Sequence, residues 1–208
     1  MGEKIVICIP THTSVSAVLF QQWIDLSKWC SLNDILIITI ANRTHNDARN
    51  WLATAGGGFQ KPNHLIDQVD WIIWIDSDQV FALQDLQTLI DCKEKFCSGW
   101  YLKGDVPMVA RWNEEDFLKD GHMNFLSVDE LQNSETDLVE VDYCGFGFTK
   151  IHTDLFRELE YPYFTNKVVK IGNYSENVSE DASFCLDVNL KPKVITSLKV
   201  GHLKEMVI

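Results

Sequence analysis

The chain has 208 residues, 46% of them apolar and 23% charged, which suits a globular protein with a well-buried core. Thirty acidic residues against 18 basic ones leave a net charge of -12, which repels a long phosphodiester and excludes nucleic acid as a partner. A small anionic ligand stays compatible with that charge if a metal and a few placed cations reverse the local field.

No apolar run approaches the roughly 18 residues needed to cross a bilayer. The opening run from Ile5 to Ile9 is too short for a signal-peptide core. Six cysteines form no Cys-x-x-Cys pair, and Cys8 and Cys185 sit in apolar surroundings, as buried thiols of a reducing compartment do. Asn42, Asn173 and Asn177 match the glycosylation acceptor pattern, which carries no weight without a secretion signal. The expectation is a cytoplasmic protein.

In chain order, residues 4–10 form a continuous apolar run ended by Pro10, the pattern of a strand buried on both faces. The spacing of Val15, Leu19, Trp23 and Leu26 predicts a helix over 14–28. Residues 34–40 read as a second buried strand, 46–55 as a helix stopped by Gly56-Gly57-Gly58, and 71–75 as a third buried strand. Helical spacing returns over 83–90, so the first half alternates strand and helix around a mostly parallel sheet. In the second half, 106–111 and 138–143 read as strands flanking a polar excursion over 113–136. Short helices are expected over 152–159 and 180–188, and a closing strand over 194–203. One domain accounts for residues 1–208, less regular beyond about residue 105.

The strongest local signal is Trp71-Ile-Ile-Trp-Ile-Asp-Ser-Asp-Gln-Val80. Two carboxylates, two residues apart, stand where an apolar strand gives out. Ligands of open parallel sheets bind beyond the carboxyl ends of the strands, so Asp76 and Asp78 are delivered to that crevice. Two such oxygens can converge on a hard cation, which would neutralise a diphosphate. A plain turn is the competing reading, because Asp and Ser both favour turns.

Other features accompany the acidic pair in a fixed order. The first strand ends in Pro10-Thr11-His12-Thr13, and Tyr143-Cys-Gly-Phe-Gly-Phe148 comes later. Ser179-Glu180-Asp181 opens a helix, and His202 follows the last apolar strand. In this order the chain resembles GT-A glycosyltransferases along essentially its whole length. More narrowly, it looks like the amino-terminal glycosyltransferase domain of a large multidomain chlorella-virus protein.

The resemblance implies a GT-A (nucleotide-diphospho-sugar transferase) fold, a mixed, mostly parallel sheet flanked by helices. It also implies a nucleotide-sugar donor, UDP favoured over GDP, and a glycan acceptor. Thr11, His12, Thr13, Asn42, Arg43 and Asp47 would lie along the nucleotide, with Arg49 bracing Asp76 or a phosphate, or making an ordinary ion pair. Ser77 would sit with the nucleotide, and Asp76 would reach the ribose or a metal-bound water. Asp78 and His202 would complete a metal site with Asp76, and imidazole favours Mn²⁺ over Mg²⁺. Asp181 is expected as the general base with Glu180 second, although Ser179 and the two acids also read as an ordinary helix start. Arg111, Trp112, Asp142, Gly145 and Phe146 would line the sugar and acceptor side. The same resemblance allows further domains of a longer polypeptide, in the host cytoplasm for a viral protein.

Two other classes compete. Haloacid-dehalogenase phosphatases also place Asp-x-Asp after an apolar strand, with Asp76 then a phosphorylated nucleophile, but their later Gly-Asp-x-x-x-Asp motif is missing. A non-catalytic sugar-binding module is the third reading.

Overall fold

A computed structural model of the chain describes residues 3–11, 14–56 and 64–203. Its centre is a seven-stranded mixed sheet. The strands are β1 (Ile5–Pro10), β2 (Leu36–Ile40), β3 (Trp71–Ile75), β4 (Phe96–Trp100), β5 (Leu138–Glu140), β6 (Phe148–His152) and β7 (Lys193–Lys199). They lie in the order β5-β7-β4-β6-β3-β1-β2. β2, β1 and β3 are parallel neighbours, as are β7 and β4, while β6 is antiparallel to both β3 and β4 and β5 is antiparallel to β7. Half of the neighbouring pairs are therefore antiparallel, which corrects the expectation of a mostly parallel sheet.

Period-2 alternation along each strand divides the core into two layers. Val6, Cys8, Ile72 and Trp74 point to one face, where Leu52 and Ala53 of helix α2 (His45–Ala53) pack. Ile7, Ile9, Ile73 and Ile75 point to the other, against Leu26 and Cys30 of α1 (Phe20–Leu32) and Leu86 and Leu89 of α3 (Leu83–Asp91). Phe184 of α4 (Glu180–Asp187) joins the first layer beside Phe146, Phe156 and Phe164. Each fully buried Leu, Ile or Phe contributes about 1.5–3 kcal/mol. The continuous apolar reading of β1 and β3 follows from this double burial.

Several elements depart from the sequence reading. The first helix starts later, at Phe20, after a single 3-10 turn at Ala17–Leu19. β2 is an edge strand with Leu36 55% exposed, so its apolar run marks one covered face and not two. Residues 106–111 split between a hairpin, Leu102–Lys103 with Val106–Pro107, and a separate sheet in which Val109–Arg111 pairs with Tyr143–Cys144 and Asn124–Phe125. The excursion over 113–136 holds two short helices. Glu114–Asp120 is capped by Asn113 and closed by Gly121 at φ +77, and Val128–Gln132 opens on a Ser127/Glu130 capping box. A hairpin, Lys167–Ile171 with Tyr174–Val178, lies where no element was expected. The helix expected over 152–159 is one turn, Asp154–Arg157. No helix among the described residues is long and apolar enough to cross a membrane.

Candidate active-site cleft

β1, β3, β4 and β7 all run the same way, so their carboxyl ends open on one side of the sheet, and β6 enters from there. A cleft of about 320 Å³ occupies that side, lined by residues that include Thr11, Arg49, Asp76, Asp78, Tyr101 and His202. The acidic pair reaches it through a turn after β3, in which the Gln79 N–H donates to Asp76 O at 3.1 Å. The Asp76 N–H donates to Gly147 O at 2.9 Å, tying this turn to the start of β6.

Just past the turn, Gln79–Val80 pairs antiparallel with Gly201–His202, placing His202 opposite Gln79. The ladder brings His202 Nε2 within 3.1 Å of Asp78 Oδ2, and the Leu203 N–H donates to Asp78 O at 2.8 Å. The Tyr101 ring, just past β4, lies 5.4 Å from the His202 ring, centroid to centroid. A contact across more than 120 residues of sequence is thereby fixed by backbone pairing.

Arg49 on α2 is 1% exposed and sits between the rings of Trp74 and Phe146, its Cζ 5.3 and 5.6 Å from their centroids. Its Nη2 donates to Asp76 Oδ1 at 2.9 Å, and its Nε faces Glu180 Oε1 at 3.4 Å. Burial opposes the charge on Arg49, but the carboxylates of Asp76, Glu180 and Asp181 outweigh it, so the guanidinium holds its proton more firmly than usual. The Nη1 of Arg49 is buried without a hydrogen-bond partner among the described residues. Glu180 also meets His45 Nδ1 at 3.8 Å.

Asp181, on the first turn of α4, is held from three sides. Its Oδ1 accepts from the Ser179 hydroxyl and from the Ala182 N–H at 2.8 Å, and its Oδ2 accepts from the Tyr143 hydroxyl at 3.1 Å. Ser179 occupies the N-cap position, yet its hydroxyl goes to Asp181 and makes no capping bond to the helix backbone. Burial, then the Asp181 charge, pushes the Tyr143 phenol well above its ordinary range, and burial with Asp76 and Asp181 does the same for Tyr101.

A second cavity of about 530 Å³ adjoins the cleft and shares Met108, Tyr143 and Ser179 with it. Trp112, Phe117 and Phe125 form its aromatic wall, and Glu114, Asp142 and Glu176 its acidic edge.

The structure thus brings Thr11, Arg43, Arg49, Asp76, Ser77, Asp78, Glu180, Asp181 and His202 to one cleft. His12 and Thr13 lie outside the described residues. Asn42, in a left-handed conformation at φ +61, does not line the cleft, and Asp47 faces a different cavity beside Trp51 and Tyr161. Trp112 and Asp142 line the second cavity, but both Asp142 oxygens are engaged, Oδ2 by the Trp112 N–H at 2.8 Å and Oδ1 by Lys191 at 2.7 Å. Arg111 is exposed and lines neither space. Phe146 is wholly buried against Arg49, and Gly145 is packed under Tyr101, so both belong to the floor. Asp76 lines the same cleft as Asp78 and His202, with its Oδ1 taken by Arg49. Among the described residues no cluster of three or more metal-ligating side chains forms.

Sequence reasoning missed Tyr101, Lys103, Tyr143 and His45. Tyr143 stood inside the quoted Tyr-Cys-Gly-Phe-Gly-Phe segment. Tyr101 and Lys103 follow β4, whose Phe-Cys-Ser-Gly-Trp sequence gives no strand signal because Ser98 and Gly99 break the apolar run.

The chain matches no family model and no curated protein sequence. Among solved structures, it is similar to A197 from STIV, with a TM-score of 0.60 at 18% identity over 97% of this chain and 86% of that one. That likeness shows a shared fold. A glycosyltransferase involved in glycosylation of the major capsid of PBCV-1 also matches, with a TM-score of 0.39 and 12% identity over 77% of this chain and 68% of that one.

Proposed function

We propose that the chain is a GT-A type glycosyltransferase that moves a sugar from a nucleoside-diphosphate sugar, a UDP-sugar by preference, to an acceptor hydroxyl with inversion. The observation that carries this reading is the meeting of Asp78 and His202 at 3.1 Å on the cleft that also holds Asp181. A carboxylate oxygen and an imidazole nitrogen converging from two elements, with an open side, form a donor set that suits a divalent cation, Mn²⁺ over Mg²⁺. Such a cation, held by Asp78 and His202, would neutralise the diphosphate and make it a better leaving group. Two protein ligands would be enough for a hard cation that also accepts oxygen ligands from a diphosphate.

The chain's own residues account for the rest. Arg49 holds the Asp76 carboxylate at the cleft wall, which suits Asp76 to accept from a ribose hydroxyl or from water. The Asp181 Oδ2 keeps a lone pair beyond its contact with Tyr143. There it takes the acceptor's hydroxyl proton as the acceptor oxygen bonds to the anomeric carbon. The bond from that carbon to the diphosphate breaks, and its electron pair leaves on the phosphate oxygen. Glu180 is less suited to be the base, because its carboxylate is committed to Arg49 and His45. The adjoining aromatic-walled cavity is the place for the acceptor, since its mouth lies beside Tyr143 and hence beside Asp181.

The test is incubation with UDP- and GDP-sugars and with phosphate monoesters, with and without Mn²⁺, following nucleotide and phosphate release. Mn²⁺-dependent release of nucleoside diphosphate is expected, reduced about 100-fold or more in Asp78→Asn. Phosphate release from monoesters would instead establish the phosphatase with Asp76 as nucleophile. Sugar binding without turnover would establish the non-catalytic module.

A further inference from the structure

The cleft of this acidic chain carries cations that its ion pairs do not consume. Elsewhere Lys95, Arg157, Lys167, Lys191 and Lys193 each pair with a carboxylate, while Lys28, Lys93 and Arg111 are exposed to solvent away from the cleft. Arg43 and Lys103 line the cleft, and among the described residues neither has an acidic partner. Arg49 adds a third cation from below, with its buried Nη1 unpartnered. The three arrive from separate elements: the loop before α2, α2 itself and the hairpin after β4.

The hairpin that carries Lys103 is anchored on both sides. Its hairpin turns through Gly104 at φ +68, and Tyr101 at its root is buried, accepting the Met108 N–H at 2.9 Å. The Leu102–Lys103 strand packs against Gly201–His202, the strand that carries His202 to Asp78. Lys103 lines the cleft and so reaches it from an element that lies against the strand bearing His202. The cleft also holds the carboxylates of Asp76, Asp78, Glu180 and Asp181, so the three cations outweigh them only with a divalent cation at Asp78 and His202, and together they then favour a compact polyanion over a nucleoside or a neutral sugar.

We propose that Lys103 is a diphosphate-positioning residue, forming with Arg43 and Nη1 of Arg49 a cationic subsite for the two phosphates of a nucleoside diphosphate. This inference rests on the transferase reading and adds a residue and a ligand group to it. A lysine ammonium binds phosphate as a point charge, so its effect grows with the number of phosphates and falls with salt.

The test is calorimetric titration, in Mn²⁺, of the whole chain and of Lys103→Met and Lys103→Arg with UDP, GDP, UMP, GMP, uridine and guanosine. Lys103→Met is expected to weaken the preferred diphosphate about tenfold, the monophosphate less and the nucleoside not at all, with the gap closing at high salt. Lys103→Arg restores most of the affinity. Equal binding of the diphosphate by the original chain and Lys103→Met overturns the role of Lys103 and leaves the transferase reading standing. A chain that binds diphosphates no better than nucleosides overturns both.

Discussion

Burial keeps the Tyr143 phenol protonated far into the alkaline range, so its hydroxyl remains a donor to Asp181 Oδ2 wherever the protein is folded. That contact fixes which way the Asp181 carboxylate faces in the cleft. Replacing Tyr143 by Phe removes it, and kcat should fall about tenfold with the fold intact, since a hydrogen bond to a charged group contributes about 1.5 kcal/mol or more. Asp181→Asn, which cannot accept a proton, should lower kcat about 100-fold or more. A kcat unmoved by Tyr143→Phe would show that this contact does not position the base. At this scale the place of the cleft was legible. Asp76, Asp78, Arg49, Glu180, Asp181 and His202 line it together. Asn42 and Asp47 do not, because a left-handed turn and the helical rotation of α2 aim them elsewhere, and neither is encoded in a residue type.

At the scale of elements, the start of β6 shows why two glycines stand in an aromatic segment. A Cβ on Gly147 would come within 2.8 Å of the Tyr101 ring and within 2.5 Å of the Gln79 amide. Both neighbours are buried, and Gln79 is wholly so, which leaves little room to yield. The Gly147 carbonyl also accepts from Asp76, so a shift of this backbone is felt directly by the acidic turn. Gly147→Ala should destabilise the fold by about 1–3 kcal/mol in urea titration and lower donor affinity as well. Loss of stability with donor affinity untouched would break the proposed link between β6 and the turn. β6 itself was illegible in the sequence, although it is central. Its Thr149 and Lys150 are buried polar residues whose partners come from other elements. The Thr149 hydroxyl meets Ser98, and Lys150 Nζ donates to Ile90 O and Cys92 O at the end of α3. A window of local hydrophobicity cannot anticipate such partners, whereas β1 and β3 announce themselves because apolar packing satisfies them on both faces.

At the scale of the molecule, the cleft is assembled from distant parts of the chain. Thr11, Arg43, Arg49 and Asp76 come from the first hundred residues, and Tyr143, Asp181 and His202 from the last seventy. Pieces this far apart in sequence are held together here by the central sheet, the two-residue ladder at His202 and the buried Arg49 pairs. The cleft also concentrates charge of both signs. Asp76, Asp78, Glu180 and Asp181 share it with Arg43, Arg49 and Lys103, so a bound cation would relieve the carboxylate repulsion and let a diphosphate meet the basic side chains. A ligand that binds only the folded state stabilises it by RT ln(1 + [L]/Kd), about 2.7 kcal/mol at a hundredfold excess over Kd. For a chain of this size each kcal/mol moves Tm by roughly 2–4 °C, so saturating UDP with Mn²⁺ should raise Tm by roughly 5–10 °C. Mn²⁺ or UDP alone should give a smaller rise, because each would face the uncompensated charge of the other's subsite. In Asp78→Asn the added effect of Mn²⁺ on UDP should vanish while UDP alone still raises Tm. If the two shifts are simply additive in the original chain, metal and diphosphate do not share the cleft, and the pairing of Asp78 with His202 is only a structural contact.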